Sequence, residues 1–239
     1  MAMRHDHFGL TSPRLFQYAF PLDNLLRRRR LTLRCIMSCF QPVALNHASR
    51  LLNHGPTVLI TSADAASGRR NVMAAAWSTP VEFIPARIAI VVDKGAWSRD
   101  IIEQNQAFGI CIPTAAIADL TWAVGSVSGR EEDKFARYGI EALSGPELGL
   151  PVIEQGCAAW LECRLLPETE AQQRYDTLFG EVVSAAADAR VFSEGRWLFS
   201  PECPESHTLH HLGAGTFVTS GPLVQAKPLD EVGQRRPTA

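Results

Sequence analysis

Apolar and polar positions along this chain fall into short extended runs more often than into helical stripes. "PTVLITS", beginning at Pro56, is rich in β-branched residues, "ADAASGRR" reads as a turn, and "NVMAAAWST" is a second extended run, so the stretch predicts a hairpin. "ARIAIVVD" (Ala86 to Asp93), "AFGICIP", "AAWLECRLLPE", "YDTLFGEVVSAAAD" and a final "GTFVTSG" predict further strands. Helical spacing is confined to three places. "ALNHASRLLN" places Leu45, Ala48, Leu51 and Leu52 on one face and stops at Asn53, His54 and Gly55. "KGAWSRDIIEQN" offers Ser98 as an N-cap, Asp100 in the first turn, and Trp97 and Ile102 at the staple positions. "AAIADLTWAVG" is the third. Strands outnumber helices, and there is neither a regular βαβ alternation nor a G-x-G-x-x-G. The pattern predicts a mainly β fold, an antiparallel barrel with helical insertions, and excludes a doubly wound sheet.

The pattern begins late. Residues 1–36 mix His, Arg, Pro and Phe without a sustained period, which places a boundary near Met37. Two readings of this segment stand: a basic, mostly disordered extension, or a stretch upstream of a natural start at Met37. The barrel is expected over 37–221, with a tail at 222–239. Composition changes little in this picture. The chain has 239 residues, 46% of them hydrophobic and 20% charged, enough to build one large domain. A net charge of -2 provides no general attraction to nucleic acid or an anionic membrane, so neither is an expected partner, and "RRRR" (Arg27 to Arg30) is the one basic patch. No apolar run is long enough to span a bilayer. Cys35, Cys39, Cys111, Cys157, Cys163 and Cys203 form no C-x-x-C pair, which fits reduced thiols in a cytoplasmic protein.

Candidate chemistry is sparse. "SGREEDKFARYG" crowds six charges into the eight residues Arg130 to Arg137. Such a run is ordinarily a face turned to water. "CPESHTLHHLGAGTF" contains the competent metal ligands Cys203, His207, His210 and His211, but their spacing fits no common zinc pattern. His210, His211 and Leu212 are expected to lead into the last strand. No Ser-His-Asp, Cys-His or paired-carboxylate arrangement stands out, so no catalytic residue is named.

Several stretches, taken in order, resemble one known family. "NVMAAAWSTPVEFIPARIAIVV", "WSRDIIEQNQAFGICIP", "SGREEDKF", "AAWLECRL" and "LFGEVV" together resemble the flavin reductase-like, FMN-binding split-barrel family to which flavoredoxin belongs, over roughly residues 37–221. No single stretch is specific; the order and spacing carry the resemblance. It implies an FMN-binding split β-barrel, a homodimer with each flavin near the interface, and NADH or NADPH as electron donor. Reduced flavin would then serve oxygen, a partner oxygenase or another acceptor. The alternative within the same fold is a non-catalytic FMN carrier serving a partner protein. A barrel that binds some other ligand is a third reading.

The resemblance also implies a site. Asn71, Ala75, Ala76, Trp77, Ser78 and Thr79 would line the flavin, where small side chains let backbone groups approach the ring. From the residues alone, the same run is a core strand with a packed Trp. Ser98 matches the family's phosphate ligand, and a helix start has free N–H groups for an anion, although a Ser there is ordinarily just a cap. Lys94 and Arg99 flank it and either add charge or face solvent. Lys134 matches the family's lysine, expected to reach the phosphate or ribityl chain as a mobile point charge presented by the turn at Gly129, with Arg130, Glu131 and Glu132 as the solvated face. Phe217 is expected close to the flavin. Where many relatives have a His before G-E-V, this chain has Tyr175.

Overall fold

The computed structural model describes residues 39–48, 51 and 56–226. The boundary expected near Met37, the Arg27 to Arg30 cluster, Cys35 and most of the expected tail lie outside the described residues. A short strand β1 (Phe40–Pro42) and a helical turn α1 (Leu45–Ala48) precede the predicted hairpin, β2 (Val58–Ala63) and β3 (Arg70–Ala75). Ala48 and Leu51 are buried, whereas Leu45 is 42% exposed and does not share their apolar face.

The run "NVMAAAWST" is not one strand. It breaks at Ala76 and Trp77, and β4 (Ser78–Phe83) pairs with β5 (Ala86–Val91), not with β2. Beyond lie helix α2 (Trp97–Asn105), β6 (Ala107–Pro113), a 3-10 turn running into α3 (Ala118–Ser126), and the short α4 (Lys134–Tyr138). The small pair β7 (Leu143–Ser144) and β8 (Pro151–Val152) leads to the long β9 (Cys157–Leu166). A helix the sequence pattern did not predict, α5 (Thr169–Tyr175), separates β9 from β10 (Thr177–Asp188). Its alternation of Glu, Gln and Arg buries no residue, so no apolar stripe announces it. A hairpin of β11 (Phe192–Ser193) and β12 (Arg196–Trp197) and a second of β13 (Leu209–Gly213) and β14 (Thr216–Thr219) complete the described chain. His210 and His211 thus form β13 itself and do not merely lead into the last strand.

The main sheet is antiparallel in the order β3-β2-β6-β9-β10-β5-β4, with β1 added along the distal half of β10. Its two ends are consecutive strands joined by only Ala76 and Trp77. A flat sheet of seven strands spaced about 4.8 Å apart cannot be bridged by two residues, so the sheet has to curl until its ends meet. The result is a barrel with a seam between β3 and β4.

Strand periodicity sorts the core into an inside and an outside. Val58 and Ile60, Phe108, Ile110 and Ile112, and Leu161, Cys163 and Leu165 pack together within the barrel. The intervening Leu59, Cys111 and Trp160 join Val72, Val124, Phe135 and Ile153 in a second layer beneath the helices. Both faces of β6 are therefore buried, which is why it reads as an unbroken apolar run and not as an alternating one. Gly180, the glycine of "GEV", lies under the Phe108 ring: a Cβ there would come within 2.6 Å of Cζ.

Glu162 on β9 is fully buried, and its carboxylate accepts hydrogen bonds from the backbone N–H groups of Glu147 (2.9 Å), Leu148 (3.0 Å) and Leu150 (3.3 Å), fixing the loop before β8. An acceptor-only group matches three converging donors, and an amide does not. Glu162→Gln should therefore lower the unfolding free energy by about 2–4 kcal/mol. Urea unfolding monitored by tryptophan fluorescence checks this, and a change below about 0.5 kcal/mol would contradict the loop-anchoring role.

Candidate functional site

The barrel seam is where the chain's candidate residues gather. Ala74, Ala75 and Ala76, at the end of β3, form the floor of a cleft of about 120 Å³ whose walls are Thr57, Thr121, Trp122, Gly125, His211 and Phe217. Helix α3 lies directly on the strand, with the position of a Cβ on Gly125 only 3.1 Å from the Cβ of Ala74. The opposite wall is aromatic: the His211 ring is 5.7 Å from Trp122 and 5.1 Å from Phe217. The structure thus brings Ala75, Ala76 and Phe217 together. Trp122 was not singled out in the sequence, and His211 was named there only as a competent metal ligand leading into the last strand, because one belongs to a helix and the other to a strand whose contact with β3 no local pattern reveals.

Trp77 and Thr79 do not line this cleft. Trp77 is 71% exposed where the chain passes from β3 to β4, and Thr79 is exposed, its hydroxyl donating to its neighbour's carbonyl at Pro80 (3.2 Å). Ser78 lies between them with its Oγ buried and without a hydrogen-bond partner.

A second cluster forms toward the start of β3. Asn71 is buried and its Nδ2 donates to Ser98 Oγ (2.7 Å), while its Oδ1 has no partner. Gly129 permits this approach, since a Cβ there would fall 2.1 Å from Asn71 Oδ1 and 2.8 Å from the Trp97 ring. Ser98 is not the N-cap expected from the sequence. Ala96 occupies that position with extended backbone (φ -74, ψ 131), no side chain caps the helix, and the Ser98 hydroxyl, two residues further in, is engaged by Asn71. The first N–H groups of α2 are thereby left without a side-chain acceptor.

Lys134 is fixed, in contrast to the mobile charge the sequence suggested. Asp133 caps α4 by accepting from Ala136 N (3.1 Å), which turns Lys134 inward. Its buried Nζ donates to Val72 O (2.8 Å) and Val124 O (2.7 Å). The ammonium therefore ties β3 to a terminal carbonyl of α3 that the helix itself cannot satisfy. Burial lowers its pKa from the ordinary 10.5 to about 8.

Lys94 and Arg99 point elsewhere. Arg99 is 3% exposed and donates to Val92 O (2.9 Å), Gln172 O (2.8 Å) and Glu103 Oε1 (2.6 Å), stitching α2 to α5. Lys94 bonds Gln173 O and lies 3.6 Å from Asp176 Oδ1. Both line a separate cleft with Asp100, Glu103, Gln172 and Gln173, and neither joins the Asn71–Ser98 cluster. The cation that does join it is Arg69, which the sequence reading passed over as part of a turn. Its Cζ sits 4.4 Å from the centre of the Trp97 ring, and Nη2 donates to Gly129 O (2.7 Å).

Tyr175 is 61% exposed beneath Arg174. Among the described residues no cluster of three or more His, Cys, Asp or Glu is arranged to hold a metal. His207 instead lies between two carbonyls, Nδ1 2.6 Å from Ser220 O and Nε2 2.9 Å from Ser200 O. No described helix is long and apolar enough to cross a membrane.

This arrangement has known counterparts. The family described as "Flavin reductase like domain" matches the chain over residues 50–201. The chain belongs to the flavin reductase-like family. The uncharacterized protein YddH of Escherichia coli (strain K12) is 68% identical over 190 residues, covering 80% of this chain and 100% of its own. An FMN-binding domain of a flavin reductases-like enzyme from Shewanella baltica OS155 shares 39% identity with a TM-score of 0.74, covering 79% of this chain and 97% of its own. Flavoredoxin of Desulfovibrio vulgaris (Miyazaki F) aligns with a TM-score of 0.61 at 23% identity, over 72% of this chain and 90% of its own, a likeness of fold. The barrel with its β3–β4 seam is the split barrel of this family.

The seam residues fit a flavin nucleotide on the structure's own terms. Asn71 Oδ1 and Ser78 Oγ are buried polar atoms that await a partner, and the alanine floor faces aromatic rings across a gap.

The Lys134 burial makes a measurable claim. The unfolded chain holds this proton up to about pH 10.5 and the folded chain only up to about pH 8. Between those values the unfolded state binds more protons, so Lys134 contributes a rise in stability with pH that is absent below 8. The difference in unfolding free energy between the wild type and Lys134→Met should therefore grow in the wild type's favour from pH 8 to pH 10. A difference that stays flat across that window would mean the amine is not desolvated.

Proposed function

We propose that this chain is an FMN-dependent flavin reductase, transferring hydride from NADH or NADPH to flavin. The observation that carries the reading is the cleft at the seam, alanine-floored and aromatic-walled, with one buried polar atom without a partner on β3 (Asn71 Oδ1) and one on β4 (Ser78 Oγ). FMN, when bound, supplies the ring that accepts hydride.

The protein's own residues position and shield. Ala74, Ala75 and Ala76 leave the backbone of β3 approachable, and Phe217, His211 and Trp122 supply flat surfaces and exclude water from the cleft. Asn71 Oδ1 and Ser78 Oγ offer hydrogen-bond acceptance, and in the case of the hydroxyl also donation, to a polar ring edge or chain. No side chain is assigned as acid or base, because hydride transfer between stacked rings requires orientation and not proton abstraction. The absence of a dinucleotide fingerprint agrees with a nicotinamide held weakly, by stacking.

We also propose a homodimer. Trp77, Val81, Phe83 and Ile84 are 71%, 46%, 62% and 80% exposed around the edge strand β4, an apolar row of the kind that a second copy covers. Reduced flavin would serve oxygen, a partner oxygenase or another acceptor, and the cytoplasm is the expected compartment.

Stopped-flow bleaching of the flavin absorbance, with FMN bound and NADH or NADPH in excess, tests the activity. At least one nucleotide should reduce the flavin within seconds to minutes. Stable FMN binding without reduction by either would replace the reductase with a non-catalytic FMN carrier serving a partner protein, and a protein that binds no flavin would remove both readings.

A further inference from the structure

The seam has a surplus cation at its outer end. Arg69 and Arg70 are adjacent and both exposed, yet strand alternation sends them to opposite sides of β3. Arg69 goes with Asn71 toward Trp97, Ser98 and Gly129. Arg70 goes with Val72 toward Phe135, its Cζ 4.4 Å from that ring's centre.

The Arg69 guanidinium is held in place but not used up. The Trp97 face supports it at 4.4 Å, and among the described residues it makes one hydrogen bond, Nη2 to Gly129 O. No carboxylate lies within ion-pair distance among the described residues, so the remaining N–H groups of its fork are available. Beside it α2, a helix of nine residues, starts without a side-chain cap. The buried Asn71 Oδ1 nearby is also without a partner, but as an acceptor it suits a hydroxyl of the ligand's chain and not the phosphate itself. The other basic groups are committed: Lys134 to two carbonyls, Arg99 to α5, and Arg130 to Asp100.

On the reading that this seam holds FMN, we propose that Arg69 is the side chain that grips the flavin's phosphate, at the uncapped head of α2, while Lys134 holds the strand and helix behind it. A phosphate monoester matches a planar fork bidentately, and a helix start favours its charge. A guanidinium pre-oriented on an indole face loses little freedom on engaging it. Arg70, on the other side of the strand, plays no part.

The test compares FMN with riboflavin, which lacks the phosphate, by fluorescence titration of the wild type, Arg69→Ala, Arg69→Lys and Arg70→Ala. Arg69→Ala should weaken FMN about tenfold or more and riboflavin less than about twofold, and Arg69→Lys should fall between wild type and Arg69→Ala. Arg70→Ala should leave both within about twofold. Raising salt should weaken FMN on the wild type more than on Arg69→Ala. Equal losses for FMN and riboflavin, or an undiminished FMN affinity in Arg69→Ala, would overturn the assignment. If Arg69→Ala proves unstable, an Arg69→Lys variant that binds FMN as the wild type does while Arg70→Ala loses affinity would overturn it as well. Wild-type protein that binds FMN and riboflavin equally tightly sinks this inference alone, whereas wild-type protein that binds neither sinks the flavin reading beneath it.

Discussion

Two residues, Ala76 and Trp77, connect the opposite ends of a seven-strand path, and the rest of the architecture follows from that constraint. The ends of the sheet must meet, so the strands roll into a barrel, and the interior fills with alternate residues of β2, β6 and β9. The meeting is covalent and not hydrogen-bonded: β3 and β4 pair with β2 and β5 but not with each other. A seam remains, lined by backbone and small side chains. Such an edge would be a liability if left bare. Here α3 covers the β3 side, while the β4 side retains the apolar row that includes Phe83 and Ile84.

One buried ammonium joins the apolar packing of Val124 against Val72 in holding α3 on β3. Burying Lys134 carries a desolvation cost, and two carbonyl acceptors at 2.7 and 2.8 Å offset part of it. One of those acceptors is a helix-terminal carbonyl and the other belongs to β3, so each hydrogen bond also satisfies a group on the element that the lysine joins. The contact places Gly125 against Ala74, and thereby sets the width of the cleft on that side.

Much of the fold was legible because strand chemistry is local. The β2–β3 hairpin follows from β-branched runs around a Ser-Gly turn, and the seven buried residues of β6 follow from an unbroken apolar run. What was not legible depends on tertiary partners. Nothing in "NVMAAAWST" indicates that pairing switches from β2 to β5 at Ala76, because an extended chain looks the same whichever neighbour it takes. The cap at Ser98 was misplaced by two residues because its hydroxyl was free to be claimed by Asn71, which is distant in sequence. Lys134 stood out in the charged cluster, but its inward direction was not legible, since the Asp133 cap that turns it competes with any reading of the cluster as a solvated face. Arg69 was hidden in a turn whose only visible feature was its glycine.

The alanine run at the seam shows how packing and binding demands converge on the same residues. Ala74 has to be small because Gly125 of α3 approaches it so closely, and a larger side chain would lift the helix from the strand. The same smallness keeps the strand backbone within reach of a flat ligand, so the alanines by themselves favour neither a packed core strand nor a cofactor floor. Nor do the orphaned polar atoms decide between them. Burying Asn71 Oδ1 and Ser78 Oγ without partners costs about 1–3 kcal/mol each relative to an apolar residue of similar size, but Ser62 Oγ on β2, directly opposite Asn71, and Thr208 Oγ1 are buried without partners too. Asn71 and Ser78 flank the alanines in sequence, but Asn71 and Ala74 are an odd number of positions apart and project to opposite faces of β3, one toward Ser98 and the other toward Gly125, so packing against α3 and any contact with a ligand make separate demands on the same short strand.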